Sequence, residues 1–436
     1  MPDLPTAARL PVSASANPIR IGPVWAVAVR VIAPAAMTPK AARRPIFVRI
    51  RFLLSHRPRD LAPTVADIWL SAILPAGREK TSMKFGFCLM SDVTEIGFFR
   101  HVESLGYSSV WVADSQMLFS DCYAVLALAA RQTTRLRIGP GTAICGTRIP
   151  PVQAAAMATI NAIAPGRVFL GMGTGNTAMR TMGQKPMKMA DYSEYLRVLA
   201  ALLRGETVDY TFEGVTKPVK LLHREDRGMR LDPPIPLYVS GFGPRAMALA
   251  GEHGDGIIFA IPPRGVPVAQ ALGHARQGAA RVNRNLDGFR NASLTSVFVL
   301  EKNEAVDSDR VKAAIGPNVM ASVYYFYDTV HETGIQPPPF LDRIWGPYCK
   351  LVEETPPEHR HFRTHEMHYT GLHRGEAALI DEQLIRDTCL IGTADELVER
   401  IRELEHDGLE ELVFAIGTDA KWRLAEDFAR QVMPRL

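Results

Sequence analysis

RVFLGMGTGNTAMR, residues 167–180, is the stretch on which the fold turns. A short apolar run, Val168 to Leu170, breaks into Gly171, Gly173 and Gly175 and then into a helix-compatible segment. A buried parallel strand opening into a ligand loop has this pattern. Glycines let backbone N–H groups approach a ligand closely, while Thr174 and Asn176 add short polar side chains. Taken alone, the same residues also fit a purely structural turn.

Outward from this strand the chain alternates strand and helix. Upstream, KFGFCLM (84–90) reads as a buried strand, Glu95 to Leu105 as a helix ended by Gly106, and SSVWVA ending at Ala113 as a second strand. A helix from Tyr123 to Arg131, a strand LRIGPGTA (136–143) and a helix from Pro150 to Ile163 follow. Downstream, Tyr192, Tyr195, Leu196, Leu199, Leu202 and Leu203 share one helical face before Gly205. Pro236 to Val239 is a fifth strand, Pro244 to His253 a helix, Gly256 to Phe259 a sixth strand and Ser296 to Leu300 a seventh. Residues 301–388 are polar and irregular, an insertion with helices near the mouth of the site. Thr393 to Glu396 has capping-box spacing, Leu397, Ile401 and Leu404 form a buried stripe, and Leu412 to Ile416 is an eighth strand. Eight strands with helical crossovers over about 350 residues fit an α/β fold, a (β/α)8 TIM barrel with insertions, spanning 83–436. A doubly wound open sheet is the alternative.

Residues 1–82 hold eleven prolines and no sustained period, so they read as an N-terminal extension without a core. A targeting peptide, a regulatory arm and a functional start at Met83 are the competing readings. This segment carries ten Arg and two Lys against three Asp and one Glu, so the basic balance belongs to the extension and the rest is net acidic. The main domain therefore has no nucleic-acid footprint. Five cysteines without a CxxC pair point to a reducing, cytoplasmic compartment. No apolar run reaches the roughly 20 residues of a membrane helix.

In such barrels chemistry sits after the strands, which selects Asp114 and Ser115, Gly141 and Thr142, Gly173 to Asn176, and SGFGPR at 240–245. Small residues there leave room for a flat ligand. In SGFGPR, Ser240, Gly241 and Gly243 lead into a helix starting at Pro244, whose N-terminus and Arg245 suit a phosphate. A plain strand-to-helix turn with a solvent-facing Arg245 is the competing reading.

The segments GPGTAICGTRIPPVQAAAMATINAIAPGRVFLGMGTGN (139–176) and PLYVSGFGPRAMALAGEHGDGIIF (236–259) resemble the bacterial luciferase-like oxidoreductases, and within them the branch that uses coenzyme F420 and includes methylenetetrahydromethanopterin reductase. The resemblance implies a reduced flavin-type cofactor, F420 or FMN, lying against Gly141 and Thr142 near Asp114, with a non-proline cis peptide around Gly141-Thr142. Thr174, Gly175 and Asn176 would form another wall and SGFGP would hold the phosphate. It also implies a homodimer and a small-molecule substrate. Where F420-dependent sugar dehydrogenases carry a His after the strand-two Asp, this chain has Ser115. Where they carry an acid after the strand-four GTG, it has Asn176. Neither is a proton donor tuned near neutrality, which argues against sugar oxidation.

HRHFRTHEMHYTGLH (359–373) holds five of the twelve histidines. On a helix, His361, His365 and His368 would share a face. A solvated insertion facing the substrate, a replacement acid/base histidine and a metal site compete, with His365 and His368 the candidates if the insertion folds over the mouth; no metal is expected. The expected function is F420-dependent hydride transfer to a small organic substrate, with FMNH2-dependent monooxygenation as the alternative and a phosphate-binding barrel lyase or hydrolase as the remote one.

Overall fold

The computed structural model describes residues 83–222, 228–262 and 265–436. The extension expected over 1–82 lies outside the described residues. From Met83 the chain enters β1 (Lys84–Leu89), then α1 (Gly97–Ser104), β2 (Ser109–Val112) and α2 (Cys122–Gln132), whose first turn is capped by the Asp121 carboxylate. Next come β3 (Arg137–Pro140), β4 (Ala143–Ile144), α3 (Pro150–Ile163) and β5 (Leu170–Gly173). The short α4 (Asn176–Arg180) precedes α5 (Met189–Leu203), and a hairpin of β6 (Val208–Phe212) and β7 (Val215–Val219) fills the excursion before the fifth stave. The alternation resumes with β8 (Leu237–Ser240), α6 (Pro244–His253), β9 (Gly256–Phe259), α7 (Val268–Arg281) and β10 (Arg290–Thr295).

All neighbours in the main sheet are parallel, in the order β3-β2-β1, then the last strand of the chain, then β10-β9-β8-β5-β4. β3 and β4 are two halves of one stave, interrupted at Gly141-Thr142. Ile138 in β3 bridges Val168 just ahead of β5, which brings the two ends of the sheet together. Nine strands therefore trace eight staves of a barrel. Apolar residues point both ways from these staves, as expected for strands buried on both faces.

Inside the barrel, Trp111, Phe169 and Tyr238 fill the space, with ring centroids 4.3 Å apart for Trp111 and Phe169 and 5.2 Å for Trp111 and Tyr238. Burying each such ring contributes about 2–3 kcal/mol. Room for Trp111 depends on Gly141, where a Cβ would stand 2.4 Å from the Trp111 Cβ. The outer faces of the staves pack against the helices in a second, larger apolar layer.

The seventh stave differs from expectation. It is β10, RNASLT, and the apolar segment assigned to it instead forms β11 (Val297–Val299) in a separate two-stranded sheet. β10 was obscured by its polar residues, which the fold uses: Asn291 clamps the loop before the last strand through Gly408 O at 3.1 Å and Glu410 N at 3.1 Å.

The segment 301–388 contains a long helix, α8 (Asp309–Thr333), then α9 (Asp342–Glu353), α10 (Arg360–Arg363) and α11 (Glu382–Thr388). Buried Glu376 fastens it together, accepting hydrogen bonds from Tyr324 Oη at 2.7 Å, Arg363 Nη1 at 2.8 Å and His373 N at 2.8 Å. β12 (Leu390–Gly392) pairs with β11; α12 (Ala394–His406) carries the expected capping box; β13 (Glu411–Ile416) is the eighth stave and α13 (Lys421–Gln431) closes the chain. No helix among the described residues is long and apolar enough to cross a membrane.

Candidate active site

A cavity of 760 Å³ opens over the carboxyl ends of the staves. A larger depression of 1310 Å³ lies at the opposite end, lined by charged groups such as Arg137, Arg284, Arg290, Asp255, Glu410 and Glu411. Several of those charges are paired, as in Arg284–Asp255 at 3.0 Å, and that end of a barrel serves stability. The carboxyl-end cavity is the candidate site.

The strand loops bring Asp114, Ser115, Gly141, Thr142, Gly173 to Asn176, Ser240 and Gly243 to Arg245 to its wall. Gly141-Thr142 is a non-proline cis peptide, at the position the resemblance implied. Across from it, a Cβ at Gly173 would stand 2.6 Å from Thr142 Oγ1, so the glycine lets Thr142 pack this closely against the strand end. Gly175 adopts φ 91°, which turns the chain into α4.

α6 begins with Gly243 as N-cap and Pro244 at its first position, with no side chain capping it. The N–H groups of Arg245 and Ala246 therefore have no intrahelical acceptor and, with the helix dipole, suit an anion. Gly241 adds shape rather than a donor, because its N–H is bound to Ile258 O at 3.0 Å.

Asp114 is buried and tied to Arg148, 3.0 Å from Nη1, and it accepts from Ile144 N at 3.3 Å. Burial pushes its carboxyl above the ordinary range, with Arg148 working against that shift. Arg148 is itself held over the Tyr123 ring at 4.2 Å and paired with Asp121 at 2.8 Å. Ser115 sits beside Asp114, buried, at the cavity wall.

Asn176 is not free. Its side-chain oxygen accepts from Arg180, whose guanidinium also pairs with Glu332 at 2.7 Å and Asp328 at 3.4 Å of α8. Strand four is thus joined to the insertion by a buried charge cluster. His365 belongs to the same cluster, its Nε2 3.1 Å from Asp328, and it is not part of the cavity wall.

His361 to His368 do not share one helix: α10 stops at Arg363, and the chain continues in turns. Turns still bring His365 and His368 to 6.2 Å between centroids. His368 reaches the cavity wall, and its Nε2 lies 3.2 Å from Thr177 Oγ1. Burial, with His365 adding to it, pushes His368 down to about 3, so it is neutral near pH 7.

The face of α8 at Ala321, Tyr325, Phe326, Thr329 and Glu332 makes the remaining wall, with Phe242 of the SGFGPR loop against Tyr325 at 5.6 Å. Sequence reading missed Arg148, Arg180, Asp328, Glu332 and Tyr325. Arg180 ends the very stretch that decides the fold, but nothing in the sequence says which carboxylates it meets.

Residues 83–411 match the family model described as luciferase-like monooxygenase. The 5,10-methylenetetrahydromethanopterin reductase of Archaeoglobus fulgidus is 26% identical over 366 residues, covering 81% of this chain and 100% of the relative. The F420-dependent glucose-6-phosphate dehydrogenase of Beutenbergia cavernae is 27% identical over 352 residues, covering 77% of this chain and 90% of the relative. Among solved structures, the coenzyme F420 dependent tetrahydromethanopterin reductase of Methanopyrus kandleri superposes with a TM-score of 0.58 at 22% identity, over 81% of this chain and 99% of that one.

Proposed function

Since the chain belongs to the luciferase-like monooxygenase family, we propose that it is an oxidoreductase that binds coenzyme F420 at the strand-end wall of the cavity and acts on a small organic substrate. One observation carries this reading: the cis Gly141-Thr142 peptide and the side-chain-free Gly173 line the same cavity as an uncapped helix N-terminus and Arg245. A flat ring and a phosphate fit these two features. Bound there, F420 supplies hydride chemistry.

The chain's own residues orient and enclose. Gly141, Thr142 and Gly173 would leave room for a flat ring, the Arg245 and Ala246 amides would hold a phosphate, and Asp114 keeps Arg148 and the Ile144 amide in place. Phe242 and Tyr325 narrow the mouth of the cavity. Ser115 and Thr177 offer hydroxyl hydrogen bonds, and neutral His368 supports Thr177. No group in this arrangement resembles the acid/base pair of a sugar dehydrogenase.

Titration of the purified protein with F420, read by the coenzyme's fluorescence, should saturate at one equivalent. FMN is the second reading, favoured by the monooxygenase description of the family model. Saturation by reduced FMN with oxygen uptake during turnover selects it, and binding of neither cofactor overturns both.

A further inference from the structure

We propose that the cavity takes an uncharged, flat, carbonyl-bearing ring as substrate, packed against the aromatic wall that Phe242 forms with Tyr325 and Phe326 of α8, and that it rejects phosphorylated sugars. The inference rests on the reading above in one respect, that the strand-end wall is occupied by the cofactor.

Charge decides the rejection. Among the described residues lining the cavity, two are permanent cations, Arg180 and Arg245. Arg245 stands beside the α6 N-terminus and serves the cofactor's phosphate. The Arg180 side chain is 9% exposed and already satisfied by Asn176, Glu332 and Asp328. A second phosphate approaching Arg180 would meet two carboxylates in the same cluster, and repulsion with desolvation would oppose it. His368 adds no charge near neutrality.

Shape and polarity decide what is accepted. Phe242 is 46% exposed although it belongs to the best-placed loop of the site. It reaches from the β8–α6 loop toward α8, where its ring tilts 40° against Tyr325 at 5.6 Å, and Tyr325 meets Phe326 edge-on at 5.1 Å. All three line the cavity. Met90 and Phe119 extend the apolar lining. The aromatic wall favours a flat ring packed on it, and Glu332, which lines the cavity beside it, disfavours an anion there. Hydroxyls at Ser115 and Thr177 match a carbonyl oxygen without demanding charge.

Isothermal calorimetry on the full chain tests this, with menadione and glucose 6-phosphate as probes against protein saturated with oxidised F420 and against protein alone. Menadione should bind in both, and glucose 6-phosphate should give no saturable heat with the F420-saturated protein. Phe242→Ala and Tyr325→Leu should each weaken menadione about tenfold and leave F420 affinity within about twofold. Phe242 is exposed enough that its truncation does not threaten folding. Saturable binding of glucose 6-phosphate to the F420-saturated protein, absence of menadione binding, or menadione affinity untouched in both variants would overturn the proposal. Failure of F420 to bind would sink only the cofactor reading, because the menadione arm without cofactor still reports on the aromatic wall.

Discussion

The wall built by the barrel and the wall built by residues 301–388 are made of different material. The first is backbone and small side chains at Gly141, Thr142, Gly173 and Ser240; the second is Tyr325, Phe326, Glu332 and His368. A glycine-lined wall recognises through shape and amide dipoles, which suits a ligand shared by many relatives. A wall of large side chains recognises through ring faces and charge, and it changes with every substitution. The two are joined where Arg180 of the barrel side meets Asp328 and Glu332 of α8.

Breaking that joint should have the largest effect. Arg180→Met leaves two carboxylates in a largely buried setting, and urea denaturation should show a loss of about 3 kcal/mol. A loss below about 1 kcal/mol would mean that the walls are held together elsewhere.

Closing the barrel wall comes next. Gly173→Val forces a branched side chain against Thr142 and should weaken F420 about 100-fold, about 2.7 kcal/mol, alongside a loss of about 1–3 kcal/mol in stability from overpacking. Unchanged F420 affinity would move the cofactor off this wall.

The insertion wall has its own pH signature. His368 is held down at about 3 against 6.5 unfolded. Below 6.5 the unfolded chain takes up a proton that the folded chain refuses, so stability is fully present above 6.5 and is lost as pH falls toward about 3. Wild type should lose stability over that window from this group, and His368→Asn should lose correspondingly less in pH-dependent denaturation.

The smallest effect is a control outside both walls. Glu304, ahead of α8, is held down at about 2 by hydrogen bonds from Arg310 first, outweighing burial, with the Glu301 amide and Ser308 adding to it. Its contribution is present above 4.5 and lost as pH falls toward about 2. The pair is partly open to solvent through Arg310, whose side chain is 29% exposed. Glu304→Gln should therefore cost less than about 1 kcal/mol at pH 7 and leave cofactor binding unchanged.

Much of the barrel was legible because buried parallel strands are apolar on both faces and their helices carry a strong period. α3 and α6 match their expected spans, and the capping box at Thr393 is present. The seventh stave was misread because β10 has Asn291 and Ser293 where hydropathy expects a core, and these polar groups are placed by partners far away in sequence. The histidine segment does not form the single helix on which His361, His365 and His368 would share a face. Its turns still bring His368 to Thr177, a contact spanning 191 residues.

By itself the sequence determined the barrel, the strand-end glycines and the uncapped helix at Pro244, because periodicity, turn chemistry and capping act over a few residues. Only the tertiary structure decided that Asn176 is committed to Arg180, that Arg180 is neutralised by α8, and that Phe242 meets Tyr325 across the mouth. The physical reason is range. The backbone cradle is encoded locally, whereas charge pairing and ring packing at the mouth depend on which distant segments the fold brings within a few ångströms.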